Sequence, residues 1–227
     1  MNNIPTISVI IRVKNEERWI GHCIQSILDN INQPEIILID NNSTDITIDI
    51  VKHFKRDKNL ENLAGKSYTN IKTYSINDYT PGLALNYGLK KITSELVLII
   101  SAHCVIKKFD SDSVISNLRN HECVFGNQIP VWEGKRIKKR YIWSHFNNEK
   151  TVNKFSKLEN RYFLHNAFAI YKKKTLIEYP FDEELVNKED RYWADLIVKK
   201  NKTYIYDPSL VVEHHYTQNG NTWKGLA

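Results

Sequence analysis

Leu96-Val97-Leu98-Ile99-Ile100 is an unbroken run of branched apolar side chains that stops abruptly at Ser101-Ala102-His103-Cys104. A strand with one wet face alternates polar and apolar residues. A continuous run is covered on both faces, the usual state of a strand inside a parallel sheet flanked by helices. In open α/β sheets, ligands bind beyond the carboxyl ends of such strands. Ser101 and His103 are therefore predicted at the mouth of a site.

The rest of the chain supplies the partners such a strand needs. Ile7 to Val13 and Glu35 to Asp40 are two further apolar strands. Lys14-Asn15-Glu16-Glu17 is expected to open a helix between them, with Asn15 as cap and the two Glu facing the positive end of the dipole. Trp19, Ile20, Cys23, Ile24, Ile27 and Leu28 would be its buried stripe. Asn41 to Asp45 is a polar turn before a helix carrying Thr47, Ile50, Val51 and Phe54. Asp57 to Asn70 reads as a mobile polar connection, and Ile71 to Ser75 as a weaker strand. Leu85, Leu89 and Ile92 stripe the next helix, and Gly88 within it implies close packing against the sheet or a ligand. After the central strand come a short helix with Val114, Ile115 and Leu118, and a strand at Cys123 to Gly126. Tyr162 to Tyr171 reads as one strand, Glu189-Asp190 opens a helix with Trp193, Leu196 and Ile197, and Thr203 to Tyr206 and Leu210 to His214 read as two closing strands. The βαβα order with short loops implies an α/β fold with parallel crossovers.

Trp132 to Lys157 interrupts this order. It is basic and aromatic, without clear periodicity, and is expected to be a flexible or partly helical insertion. Lys135 to Arg140 would either lie on an anionic membrane surface or form a solvated loop. The whole chain carries a net charge of +6, which favours an anionic partner without choosing among nucleotide diphosphate, membrane and nucleic acid. Its basic residues are not gathered on a recognisable reading element, so nucleic acid is not expected. The cysteines, Cys23, Cys104 and Cys123, are odd in number and set among apolar residues, which implies reduced thiols and a cytoplasmic chain. The Met1 to Pro5 start lacks the features of a signal peptide, and no apolar run reaches the ~20 residues of a membrane span.

Polar clusters fall at predicted strand ends and helix starts: Asp40 to Asp45, Ser101 to His103, Glu189-Asp190 and His214-His215. With Lys14-Asn15-Glu16-Glu17, Ile39-Asp40-Asn41-Asn42-Ser43-Thr44-Asp45, Pro81-Gly82-Leu83-Ala84-Leu85-Asn86-Tyr87-Gly88, Glu189-Asp190-Arg191-Tyr192-Trp193 and Val211-Val212-Glu213-His214 in this order, the chain resembles the family 2 glycosyltransferases. These are inverting enzymes of the GT-A fold, whose central sheet is mostly parallel and flanked by helices. The resemblance implies a single domain over 1–227, with a nucleotide-binding half at about 1–105 and an acceptor-binding half at about 106–227. Most of the family has Asp-x-Asp where this chain has Ser101-Ala102-His103; it looks like a bacterial rhamnosyltransferase-like subset that shares the Ser-Ala-His.

The resemblance also implies roles. Asp190 would be the general base, and Asp40 would accept a hydrogen bond from the nucleotide base. Arg12, Val13, Asn15, Asn42, Gly82, Asn86, Ser101, Ala102 and His103 would line the donor pocket. Asn166, Glu189 and Trp193 would meet the acceptor or sugar, with core packing the alternative for Asn166 and Trp193. A divalent cation, Mn²⁺ or Mg²⁺, would bind weakly and only with donor through His103 and His214; otherwise no ion binds and a protonated His103 or a Lys serves instead. The implied partners are a nucleotide-diphosphate sugar of UDP or TDP type and a glycan or lipid-linked acceptor of bacterial surface polysaccharide synthesis, with the protein cytoplasmic or peripheral at the inner membrane face. The alternative is a catalytically inactive homologue that only binds a sugar nucleotide or a partner.

Overall fold

The structure, a computed structural model, describes residues 6–55 and 70–217. The Met1 to Pro5 start and all but the last residue of the Asp57 to Asn70 connection lie outside the described residues. Strands β1 (Ile7–Val13), β2 (Glu35–Asp40), β3 (Ile71–Ser75) and β4 (Leu96–Ser101) alternate with helices α1 (Ile20–Asn30), α2 (Thr47–Lys55) and α3 (Pro81–Leu89). They form a parallel array in the order β3-β2-β1-β4. Neighbours switch from β2 to β4 across β1, so the crevice expected of such sheets lies at the ends of β1 and β4, where Arg12 pairs with Ser101.

The second half departs from the parallel pattern. β5 (Cys104–Lys108) follows β4 directly, then come α4 (Ser111–Asn120) and β6 (Cys123–Trp132). The short strands β7 (Lys135–Arg136), β8 (Thr151–Val152), β9 (Phe155–Ser156) and β10 (Arg161–Tyr162) precede β11 (Phe168–Lys172), α5 (Lys173–Glu178), α6 (Glu189–Lys199) and β12 (Ile205–His215). The sheet continues from β4 through β11, β6 and β12 to β5, with β11 antiparallel to both neighbours and β12 parallel to β6. The sheet is thus mixed, parallel throughout only in its first half.

Several local expectations are corrected. Asn15 has φ of 52°, and its Oδ1 accepts from the Thr44 N–H rather than capping a helix. Glu16 and Glu17 use their backbone N–H groups on Thr47 Oγ1 and Asp45 Oδ2, so residues 14–17 are zipped to the β2–α2 turn. Helix α1 consequently begins at Ile20, with no acid in its first turn. The span from Tyr162 to Tyr171 is not one strand: residues 163–167 leave the ladder between β10 and β11. The two closing strands are one, β12, in which Pro208-Ser209-Leu210 is a bulge between stretches paired up to Asp207 and from Val211. A proline is tolerated in a sheet at such a place because no ladder N–H is needed.

Of the two forms expected for the 132–157 stretch, flexible or partly helical, it takes neither throughout: it is folded, with one 3₁₀ turn among short strands. Ile142, Trp143 and Phe146 are buried in the core, joined to a 3₁₀ turn at Tyr141–His145. The Lys139 ammonium ties this segment together through Asn127 Oδ1 and the Phe146 carbonyl. Trp132, Ile137 and Tyr141 remain exposed at its outer rim, together with Lys135, Lys138 and Arg140. Among the described residues, no helix is long and apolar enough to cross a membrane.

Alternate residues of the strands feed two cores, one on each face. Val9, Ile11 and Val13 join Ile24, Ile27, Val114 and Leu118 on one side. Ile10, Ile37 and Ile39 join Leu85, Trp193 and Ile197 on the other. The three cysteines are fully buried, and burial pushes their thiols up, so they pack as neutral groups. At the amino ends of β1 and β2, buried Glu35 takes hydrogen bonds from Ser8 Oγ, the Thr93 N–H and hydroxyl, and Lys72 Nζ.

Helix α3 lies close to its neighbours at both glycines. A Cβ on Gly88 would stand 2.9 Å from Ile10 Cγ2, so the close packing read from the sequence is against the sheet. A Cβ on Gly82 would stand 2.1 Å from the Asp182 carbonyl oxygen. Alanine favours a helix over glycine by up to ~1 kcal/mol, but here the clash is with backbone. Gly82→Ala should therefore lower stability by roughly 1–3 kcal/mol in chemical denaturation; a variant as stable as the parent would show that the 181–183 loop yields freely.

The β12 bulge supplies a second test. Asp207 accepts from Ser209 N–H and Oγ, Ser113 Oγ and Asn117 Nδ2, and pairs with Lys150. Burial pushes its carboxyl up, but these donors outweigh that and hold it well below the usual carboxylate range. Its stabilisation is therefore present above the ordinary Asp value of ~3.9 and is lost as pH falls through the lower folded value. Asp207→Asn should lose on the order of 1–3 kcal/mol at pH 7, and the gap from the parent should shrink in acid. A gap equal at pH 7 and pH 3 would refute the ionised role.

Candidate active site

The polar clusters read from the sequence converge at the carboxyl ends of β1 and β4 and the start of α6. From β1, Arg12 sends its guanidinium across to Glu189 Oε1 at 3.0 Å. Burial disfavours the Arg12 charge, but Glu189, Tyr79 and Asp190 together more than compensate. This bridge joins the first strand of the chain to the first turn of α6.

Asp190 is 3% exposed. Its Oδ2 accepts from the Asn166 N–H at 2.8 Å, and its Oδ1 from the Arg191 N–H and Nη1, both at 2.9 Å. Burial pushes the carboxyl up, yet Arg191, His165 and the Asn166 N–H outweigh it and hold Asp190 below its usual range. It is ionised at neutral pH. A carboxylate offers about four lone-pair positions; the Asn166 bond leaves one on Oδ2 for a further donor. Asn166 also holds the neighbouring acid, donating from Nδ2 to Glu189 Oε1 while its Oδ1 accepts from Tyr171 OH. At 2% exposed, Asn166 orients the acid pair rather than facing solvent.

Other expected site residues take different places. Trp193 is buried among Tyr171 and Phe181, with Nε1 donating to the Tyr179 carbonyl, so the core alternative holds and its faces are closed to a sugar. Asn86 spends its amide on Phe181 N–H, the Phe181 carbonyl and Glu183 Oε1, and with Gly82 it seats α3 on the 181–183 loop. Asp40 accepts from Ser43 N–H and Oγ within its own turn. Asn42, at φ of 51°, donates to the Ile76 carbonyl. Val13 contributes its carbonyl to Asn41 N–H and buries its side chain. Ser101 and Ala102 close the end of β4, the Ser101 N–H donating to the Ala167 carbonyl.

His103 and His214 do come together, Nε2 to Nε2 at 3.0 Å. Each ring turns its Nδ1 to an oxygen: His103 to Glu16 Oε1 at 2.9 Å, and His214 to Gln128 Oε1 at 2.9 Å. Metal-ligating histidines commonly show this outer support. Two nitrogens ~2.1 Å from one ion and at right angles stand about 3.0 Å apart, so the pair fits two adjacent ligands of a six-coordinate ion. Among the described residues, no group of three or more His, Cys, Asp or Glu is arranged to hold a metal. The described residues by themselves supply an incomplete site. A cavity of about 620 Å³ opens instead at the amino end of β4, beside Leu96, Ile115, Leu118 and Arg119, away from all these groups.

Arg191, Tyr171, His165, Gln128 and Glu16 join the site without having been singled out for it from the sequence. Arg191 had a signal, since it directly follows the acid pair. Gln128 had none, because a polar residue in a strand is ordinarily solvent-facing and only the covering 139–146 segment buries it.

Comparison with known proteins accords with this geometry. The family model described as Glycosyl transferase family 2 matches residues 8–179. A curated relative from Methanococcus voltae, a dolichyl N-acetyl-alpha-D-glucosaminyl phosphate 3-beta-D-2,3-diacetamido-2,3-dideoxy-beta-D-glucuronosyltransferase, is 35% identical over 101 residues, 43% of this chain and 29% of that protein. A GalNAc(5)-diNAcBac-PP-undecaprenol beta-1,3-glucosyltransferase from Campylobacter jejuni is 24% identical over 210 residues, 87% of this chain and 62% of that protein. Among solved structures, S. aureus TarS 1–349 in complex with UDP-GlcNAc matches with a TM-score of 0.68 at 20% identity, covering 98% of this chain and 62% of that one. The mannosyltransferase PcManGT of Pyrobaculum calidifontis, in complex with GDP-Man and Mn²⁺, matches with a TM-score of 0.66 at 17% identity, covering 95% and 58%. The chain spans less than two thirds of the length of each of these proteins. Its fold is that of the GT-A glycosyltransferases, and by a match over most of its length the chain belongs to glycosyl transferase family 2.

Proposed function

We propose that the chain transfers a sugar, with inversion, from a nucleotide-diphosphate donor of UDP or TDP type to a glycan or lipid-linked acceptor of a bacterial surface polysaccharide. One observation carries this reading: a buried, ionised Asp190 at the start of α6, beside a Glu189 that is bridged to Arg12 at the carboxyl end of β1. Family membership supports it, as do relatives named for dolichyl- and undecaprenol-linked substrates.

In this reading the free lone pair of Asp190 Oδ2 takes the proton of the acceptor hydroxyl. The oxygen attacks the anomeric carbon while the bond from that carbon to the β-phosphate oxygen breaks on the opposite face. The nucleoside diphosphate leaves with its electron pair, and positive charge near its phosphates lowers the barrier. Arg12 supplies one such charge. His103 and His214 would hold a divalent ion through Nε2, with the donor's own oxygens completing its shell, and such an ion would neutralise the leaving phosphates. Imidazole ligands favour Mn²⁺ or a later transition metal over Mg²⁺. Asp40, with Arg12 and the 14–15 turn, forms the nucleotide side, and Asn166 and Glu189 the acceptor side.

The exposed rim of the 132–141 segment gives the acceptor a place to come from. Lys135, Lys138 and Arg140 alternate with Trp132, Ile137 and Tyr141, a pattern suited to the surface of an anionic bilayer holding a lipid-linked acceptor. Each basic residue near such a surface adds ~1 kcal/mol. Replacing all three with Gln should weaken sedimentation with phosphatidylglycerol vesicles by on the order of 100-fold; binding that survives intact removes the membrane from this reading.

Asp190→Asn keeps shape and most hydrogen bonds but removes the base. Turnover should fall ~10²-fold or more, while calorimetry with UDP shows affinity within a few-fold of the parent. Turnover within a few-fold would sink the assignment of Asp190 as base.

A further inference from the structure

A continuous polar line runs through the interior from Glu16 to the loop that orients Asp190. Its links are Glu16 Oε1 to His103 Nδ1 at 2.9 Å, His103 Nε2 to His214 Nε2 at 3.0 Å, His214 Nδ1 to Gln128 Oε1 at 2.9 Å, and Gln128 Nε2 to His165 Nδ1 at 3.2 Å. Tautomers and amide flips ordinarily leave the protons of such a line free to run either way. Here one donor cannot move. The Ala167 backbone N–H points at His165 Nδ1 from 3.3 Å.

A backbone amide only donates, so His165 Nδ1 must present a bare lone pair. A ring that accepts at Nδ1 carries its one proton on Nε2 and is neutral. Gln128 then has to turn its NH₂ toward His165, because its carbonyl oxygen would meet the same lone pair. The oxygen therefore faces His214, and His214 Nδ1 must carry the proton. His214 is 1% exposed, and its Nε2 faces His103 Nε2 at 3.0 Å. With the proton of the neutral ring held on Nδ1, Nε2 is the nitrogen that offers a lone pair.

We infer that Gln128 and His165 are positioning residues of the donor site: anchored by the Ala167 amide, they fix His214 as the Nδ1–H tautomer and aim its Nε2 lone pair at the space it shares with His103. That lone pair can accept a proton-mediated bond from His103 or ligate a cation. The opposite tautomer would put an N–H into the same space and could not ligate. The tautomer follows from hydrogen bonding alone; only its use in cation binding rests on the function proposed above.

Long-range ¹H–¹⁵N correlation spectra of the ligand-free protein read imidazole tautomers directly. His214 should be Nδ1–H in the parent and a mixture in Gln128→Leu. It should also be a mixture in His165→Phe, which frees the Gln128 amide to turn over and whose ring suits the neighbouring Phe146 and Phe163. Mn²⁺ affinity in the presence of UDP, followed by electron paramagnetic resonance, should fall ~10–100-fold in Gln128→Leu. A parent His214 in the Nε2–H form overturns the inference, as does a tautomer unchanged in both variants or an affinity within twofold of the parent. If the parent takes up no Mn²⁺ with UDP, the cation part of the proposed function fails, and the spectra alone decide the inference. Should Gln128→Leu not fold, His165→Phe provides the same comparison.

Discussion

The interior strands β1 and β4 are covered on both faces, and this constraint dictates where chemistry can occur. Neither strand can present a polar side chain along its buried length without leaving it unsatisfied. Ser8 shows the condition for an exception, since its hydroxyl is tied to Glu35 and the Ser94 N–H. Charge therefore emerges only at the strand ends. At the amino ends Glu35 gathers β1, β2 and the start of β4 into one hydrogen-bonded knot. At the carboxyl ends Arg12 and the Ser101-Ala102-His103 turn face the crevice, and the polar residues of the site collect around them.

Asn166, Glu189 and Asp190 reach the same place by a different route. The antiparallel addition of β11 to β4 brings the 163–167 loop over the end of the central strand, where Ser101 N–H meets the Ala167 carbonyl. That loop then serves two sites at once. Its Asn166 orients Asp190 and Glu189, and its His165 receives the Gln128 amide. The acid pair and the imidazole pair are thus coupled through one short segment whose own position depends on the register of two strands. Arg12 to Glu189 closes the circuit between the halves.

The imidazole pair is supported from both sides by side chains that do not themselves enter the space between the two rings. Glu16 meets His103 at Nδ1, on the side of the ring away from His214. The 139–146 segment, folded down by Lys139 and Phe146, buries His214 and Gln128 and so removes the water that would otherwise compete for their hydrogen bonds. In a dry environment the orientation of each group depends on its protein partners alone.

Strand runs, helix stripes and the polar clusters at their ends were legible in the amino-acid sequence, because burial on two faces demands continuous apolar residues and helices repeat every three to four. Asp190 and Glu189 at a helix start, and His103 at a strand end, followed from those local patterns. Local pattern failed where a tertiary contact overruled it. Asn15 abandons the helix cap for Thr44, and Pro208 sits in a bulge rather than a break. The 132–157 segment shows no periodicity, yet it is held by buried aromatic rings that no repeat announces. Which nitrogen of His214 is bare depends on an amide forty-seven residues away, brought within reach only by the pairing of β11, β6 and β12. Spacing along a chain records what each element buries, whereas the direction of a proton is decided by partners that meet only when the elements pack.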